Sequence, residues 1–225
     1  MRAIRCGDRD AKRSTRLRKP LEWMIDPSWS ERRASWVLTP RFMPSYAPTM
    51  ASEELNEIVE RLWAHEQIRQ LASHYAVAVD SRNLDALVAL FIEDVRVGRD
   101  TYGRDALRES FAESLGAIGV SMLNVGTHAI TLVDADHATG LVYCHGQIQD
   151  GERWIHQFIL YRDTYERRDR QWFFVRRIHE LWYGKEVASS PLTLSPANWP
   201  TNHDGLGTVP QSWPSWTAFW DPVEE

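Results

Sequence analysis

The chain has 225 residues, with 26 basic and 31 acidic side chains and a formal charge of −5, a length that suits one core plus extensions. Residues 1–49 hold eleven Lys/Arg against five Asp/Glu, and the remaining 176 hold 15 against 26. The main part is therefore acidic and lacks the basic face that a nucleic-acid partner demands. Cys6 and Cys144 are the only cysteines and have no paired spacing, which argues against a zinc site or a disulfide framework and suits a reducing cytoplasm. No apolar run approaches the roughly 18 residues of a membrane helix. The Arg-rich start lacks the apolar segment of a secretory signal. The reading is a cytoplasmic protein with no nucleic-acid and no membrane partner.

Residues 1–49 show no sustained period and end in Pro-containing segments, after which Met50 begins a stretch that reads like a natural start. This portion reads as an upstream extension, or as an arm that packs on a neighbouring subunit through Trp23, Trp29 and Trp36. From Ser52 the pattern is helical. Ser52 is suited to a cap, Glu53 and Glu54 to the positive end of the helix dipole. Leu55, Ile58, Leu62, Leu71, Tyr75 and Val79 follow the spacing of one buried stripe. Asp80-Ser81-Arg82-Asn83 interrupts it, and Leu84, Leu87, Leu90 and Phe91 mark a short second helix. Val95-Arg96-Val97 reads as a brief strand. Asp105 is placed to cap a third helix with the stripe Leu107, Phe111, Leu115 and Ile118.

The period then changes to two. Strands are expected over 122–133, 138–149, 153–167 and 171–183, separated by the turn residues Asp134-Ala135-Asp136, Asp150-Gly151 and Arg168-Asp169-Arg170. Helices followed by four antiparallel strands give an α+β layout, with a strongly curved sheet wrapped around the helices and a cavity where a ligand would sit. The tail from Lys185 holds six prolines and four tryptophans, Trp199, Trp213, Trp216 and Trp220. So much aromatic surface is costly to leave in water, so the tail is expected to dock over the cavity mouth or on another subunit.

The segment Ile68 to Val95, helix–break–helix, resembles the opening of SnoaL-like domains of the nuclear transport factor 2-like superfamily. Tyr161-Arg-Asp163-Thr-Tyr165 through Trp172 resembles the last hairpin of that family. The resemblance covers about 50–184 and implies a cone-shaped α+β barrel. The superfamily includes scytalone dehydratase, bile-acid 7α-dehydratase, polyketide cyclases, ketosteroid isomerase, diarylpropane formaldehyde lyases and non-catalytic members, so the fold alone does not give a function. Tyr75, Asp80 and His128 fall in the order of the Tyr, Asp and His of the dehydratase branch. That resemblance implies a catalytic set and a homo-oligomer, trimer before dimer.

Eliminating water needs a base for a carbon-bound proton and an acid for the leaving hydroxyl, and histidine serves either role near neutral pH. Asp80 would hold the His128 imidazole, and Tyr75 would donate to an oxygen as charge develops on it. Each residue also has a plain structural reading: Tyr75 as core, Asp80 as a cap for the next helix, His128 as a hydrogen-bonded sheet residue. Five helical residues separate Tyr75 from Asp80, about 500° of rotation, so a shared site requires the helix to end or bend before Asp80. His145 shares a strand face with Tyr143, and Tyr161 with Asp163; His156 has the opposite parity from Tyr161. Tyr161, Asp163, His145 and His156 are the candidate substrate contacts. His65-Glu66-Gln67-Ile68-Arg69 lacks the second histidine of HExxH, no GxSxG or Walker loop occurs, and Gly205-Leu206-Gly207 is too short for a dinucleotide fingerprint. No metal and no organic cofactor are expected. The function expected is a cofactor-independent lyase acting on a hydroxylated aromatic or polycyclic small molecule, by dehydration or by an elimination that releases formaldehyde. An isomerase or aldol cyclase on a similar ligand, or a non-catalytic binding domain, are the alternatives.

Overall fold

The computed structural model describes residues 52–198 and 200–221. The expected arm of Trp23, Trp29 and Trp36 lies outside the described residues, as does Trp199. The element order is helix α1 (Ser52–Asp80), α2 (Leu84–Ala89), α3 (Arg104–Gly116), then strands β1 (Ser121–Leu132), β2 (His137–Asp150), β3 (Arg153–Arg168) and β4 (Gln171–Glu186). A 3₁₀ turn at Pro191–Thr193 and helix α4 (Pro214–Trp220) follow. The four strands form one antiparallel sheet in the order β1-β2-β3-β4, the α+β layout that the switch in period announces. Among the described residues no helix is long and apolar enough to cross a membrane.

The helices cover one face of the sheet. Small residues of α1, including Ala64, Ala72 and Ala76, are buried together with Ile68 and Leu71, so the helix lies close to the strands. Ala72 meets Val142, Cys144, Ile159 and Tyr161; Ile68 and Leu71 join Phe91, Tyr165, Trp172 and Phe174. A third cluster joins Ala78, Val79, Leu87 and Leu115, and Tyr75 packs against all three. One ring thus ties the whole helix–sheet interface. Register shifts occur in β1 between Val125 and His128, and in the β3–β4 pairing at Phe158/Ile159 and Thr164/Tyr165. Bulges of this kind bend the strand that carries them.

Several local expectations change. Leu55, Ile58 and Leu62 are exposed, Leu62 at 61%, because burial on α1 begins only at Ala64, where the helix reaches the core. Val95-Arg96-Val97 forms no strand, only the bridge Arg96↔Tyr102. Phe91 lies beyond the end of α2, where it bridges Phe174. Asp105 sits inside the first turn of α3. The cap is Gly103 at φ 99, a left-handed backbone that glycine adopts without a Cβ clash.

Candidate active site

The helix α1 does not break before Asp80; it runs unbroken through it. Tyr75 and Asp80 consequently meet different parts of the molecule. Tyr75 points at the middle of the sheet, its ring edge-on to Tyr161 and Phe174 at 5.9 and 6.1 Å. Asp80 meets the start of β1, where Oδ1 accepts from Ser121 Oγ at 3.0 Å and Oδ2 from the Leu123 amide at 2.9 Å. Asp80 does not cap α2. That role belongs to Asn83, whose side chain accepts from the Ala86 amide. Burial raises the Asp80 carboxyl to about 6, against the pull of its two hydrogen bonds and of Arg82.

His128 takes other partners. Its Nε2 stands 3.0 Å from the Tyr165 hydroxyl, which donates to Asp163 Oδ2 at 2.8 Å. Arg177 donates to both oxygens of Asp163, at 2.8 and 2.7 Å, and this pair is 4% and 0% exposed. Asp80 and His128 therefore form no unit. Leu123 pairs with Gly146 and His128 with Val142, four residues apart on the partner strand, or roughly 13 Å. Burial lowers His128 to about 4, with Asp163 opposing and Arg177 reinforcing the shift, so the ring is neutral at pH 7.

Arg177 is the residue that sequence reasoning missed. Its guanidinium lies 4.4, 4.3 and 4.4 Å from the ring centres of Tyr75, Tyr161 and Phe174, each contact attractive through the ring quadrupole. Burial pushes its pKa down, but the hydrogen bonds and charge of Asp163 outweigh it and the net shift is upward. One nitrogen, Nη1, is buried with no hydrogen-bond partner among the described residues. The strand register offers a signal that could have found it. Asp163 lies on the buried parity of β3, with Tyr161 and Tyr165, and a buried carboxylate calls for a cation opposite it; its partner on β4 is Arg177.

The candidate substrate contacts divide between the two faces. Tyr161 and Asp163 share the helix-covered face with His128. His145 and His156 lie on the other, outside this cluster. There His145 stacks on Phe158 at 4.6 Å, Phe158 on Tyr183 at 4.9 Å, and His156 meets His145 edge-on at 5.1 Å. A groove of about 470 Å³ runs past Tyr143, His145, Phe158 and Trp182. A larger recess of about 950 Å³ lies among charged residues of α1 and the 134–136 and 169–170 turns, away from His128 and Arg177. Among the described residues no three His, Cys, Asp or Glu side chains gather as a metal ion would require.

The described tail docks on its own chain, at the α1–α2 break. Ser215 Oγ donates to the Ser81 carbonyl at 2.8 Å, Trp216 lies 4.9 Å from the Arg82 guanidinium, and Phe219 joins the cluster around Leu115. Arg82 is 2% exposed and donates to Val79 O, Ser121 Oγ and Gly119 O.

A family model described as SnoaL-like domain matches residues 60–178, which is more than half of the chain and runs from Glu60 within α1 to Ile178 of β4. The chain belongs to the SnoaL-like family. Among solved structures, this SnoaL-like chain is similar to a candidate scytalone dehydratase of Novosphingobium aromaticivorans, with 21% identity and a TM-score of 0.50 over 59% of this chain and 93% of the other. It is also similar to hexachlorocyclohexane dehydrochlorinase LinA-type3 of Novosphingobium barchaimii, with 20% identity and a TM-score of 0.53 over 59% and 95%. LinA itself gives 22% identity and a TM-score of 0.53 over the same shares. At such identities the likeness concerns the fold. A search of the curated proteins finds no significant match.

Proposed function

We propose that this SnoaL-like domain is a cofactor-independent lyase that eliminates water from a hydroxylated aromatic or polycyclic small molecule. One observation carries the reading. A neutral imidazole, a buried guanidinium with an N–H unpaired among the described residues, and a phenol lie together on the helix-covered face of the sheet. His128 would take the carbon-bound proton. The C–H electrons would form the new double bond as the C–O bond breaks. Arg177 Nη1 and the Tyr75 hydroxyl would donate to the oxygen as its charge grows, the kind of fixed donor that is strongest away from water. Burial raises the Tyr75 pKa, despite Arg177, so the phenol keeps its proton. The proton held by His128 passes to the departing hydroxide, and water leaves. Tyr161, its ring against Arg177, would meet an aryl substrate. Asp80 stays outside this chemistry and fastens the end of α1 to β1.

The reading requires the sheet to curve around the helices as a cone, and the bulges in β1 and in the β3–β4 pairing support that bend. It carries with it a homo-oligomer, trimer before dimer. The aromatic groove on the far face, with Trp182 64% exposed, is surface of the kind that a second copy covers. Light scattering at micromolar concentration tests this; a monomeric mass would refute it.

The separation of Asp80 from His128 favours a second reading, a non-catalytic binding domain for the same class of ligand. Incubation with a panel of benzylic and polycyclic alcohols, followed by mass spectrometry, separates the two. A loss of one water that requires His128 supports the lyase. Saturable binding with unchanged substrate mass supports the binding domain.

A further inference from the structure

Asp163 receives two N–H donors from Arg177, one on each oxygen. Its carboxylate is thus the accepting end of any chain that reaches it. The Tyr165 hydroxyl donates to Oδ2 at 2.8 Å, and a hydroxyl has only one proton to give. Toward His128, at 3.0 Å, the same oxygen is left only the role of acceptor. The proton between them must sit on Nε2. In a neutral imidazole one nitrogen donates and the other accepts, so Nδ1 keeps its lone pair, and it has no hydrogen-bond partner among the described residues.

We infer that Tyr165 and Asp163 are positioning residues that lock His128 as the Nε2–H tautomer and present Nδ1 as the basic atom of the site. Gly140 makes the relay possible. A Cβ there would stand 2.8 Å from the Tyr165 hydroxyl and 3.1 Å from His128 Nε2, so the bond passes through space that only glycine leaves open. Burial, with the Asp163 charge second, raises the Tyr165 pKa and keeps the donor protonated. The chain runs from β1 through β3 to β4, so His128 is oriented by the sheet and not by the helix that carries Tyr75. The ligand proton that His128 takes must approach from the Nδ1 side. This rests on the reading of the cluster as a proton-transfer site.

Long-range ¹H–¹⁵N spectra of the full-length protein labelled at histidine test it, with His128 assigned by its loss in His128→Gln. The expected wild-type signal at pH 7 is an unprotonated Nδ1 with a slowly exchanging Nε2–H. In Tyr165→Phe that proton should exchange rapidly and the ring should drift toward the tautomer mixture of free imidazole, and Gly140→Ala should do the same. An Nδ1–H tautomer in the wild type overturns the inference, and so does an Nε2–H whose exchange is unchanged in folded Tyr165→Phe. The wild-type spectrum decides the tautomer even where a variant does not fold. A locked Nε2–H in a protein that turns over no alcohol keeps the relay and sinks the lyase; an Nδ1–H in an active protein does the reverse.

Discussion

Asp80 and Asp163 are both withdrawn from solvent and both lie near a buried arginine, yet the two regions are built differently. Arg177 binds Asp163 directly with two hydrogen bonds. Arg82 reaches Asp80 only through Ser121, whose hydroxyl accepts from Arg82 at 2.9 Å and donates to Asp80 at 3.0 Å. The direct pair joins β3 to β4 and supports a line of side chains ending at His128. The bridged one holds chain segments together, the end of α1 to β1 and the tail to the break. A carboxylate at the end of a histidine-bearing fold is thus not automatically that histidine's partner; the donors around it decide.

The comparison is broken most severely by removing the imidazole. His128→Gln should lower turnover about 10²–10⁴-fold, the usual worth of a positioned base, while Asp80→Asn in the same assay should stay within a few-fold of wild type. Equal losses in both would restore Asp80 to the chemistry. Arg177→Met should cost about 3–5 kcal/mol of stability, because Asp163 is left buried and unpaired; urea unfolding followed by tryptophan fluorescence measures it.

A smaller effect separates the two regions by pH. The folded pKa of Asp80, about 6, lies above its ordinary value. The native state therefore binds more protons than the unfolded state between pH 4 and 6, and stability falls as pH rises through that window. His128, lowered to about 4, acts with the opposite sign, so stability falls as pH drops from 6.5 toward 4. The wild-type profile should be nearly flat. Asp80→Asn should expose the histidine slope, with a difference between the two curves of about 2–3 kcal/mol over the window. Parallel curves would show that Asp80 does not titrate there. Trp216→Ala should have the smallest effect, about 1–2 kcal/mol for a partly desolvated cation–π contact, with activity retained.

The four strands were legible because period-two alternation and the Asp/Gly/Arg turns depend on local chemistry, and their ends fall within three residues of expectation. The parity of His156 against Tyr161 was legible for the same reason. What was not legible was pairing across the sheet. Arg176-Arg177 in β4 reads as two surface charges until register puts one of them opposite Asp163. The expected Asp80–His128 unit failed on distance along β1, which neither order nor parity encodes. Leu55, Ile58 and Leu62 show the converse limit: a sound helical stripe states which side of a helix is apolar, not how far a partner extends along it.

The bond between Ser215 and Ser81 spans 134 positions, and that separation has a meaning in time. During synthesis from the N-terminus, the break after α1 is made long before α4 exists, and the sheet can form while Arg82 still lacks its Trp216 cover. Closing so long a loop is entropically slow, and here it waits on α4. The corner beside Asp80 is therefore completed only after α4 has been made, and a nascent chain halted at the end of β4 would carry the whole sheet with the Arg82 guanidinium still lacking its Trp216 and Phe219 rings.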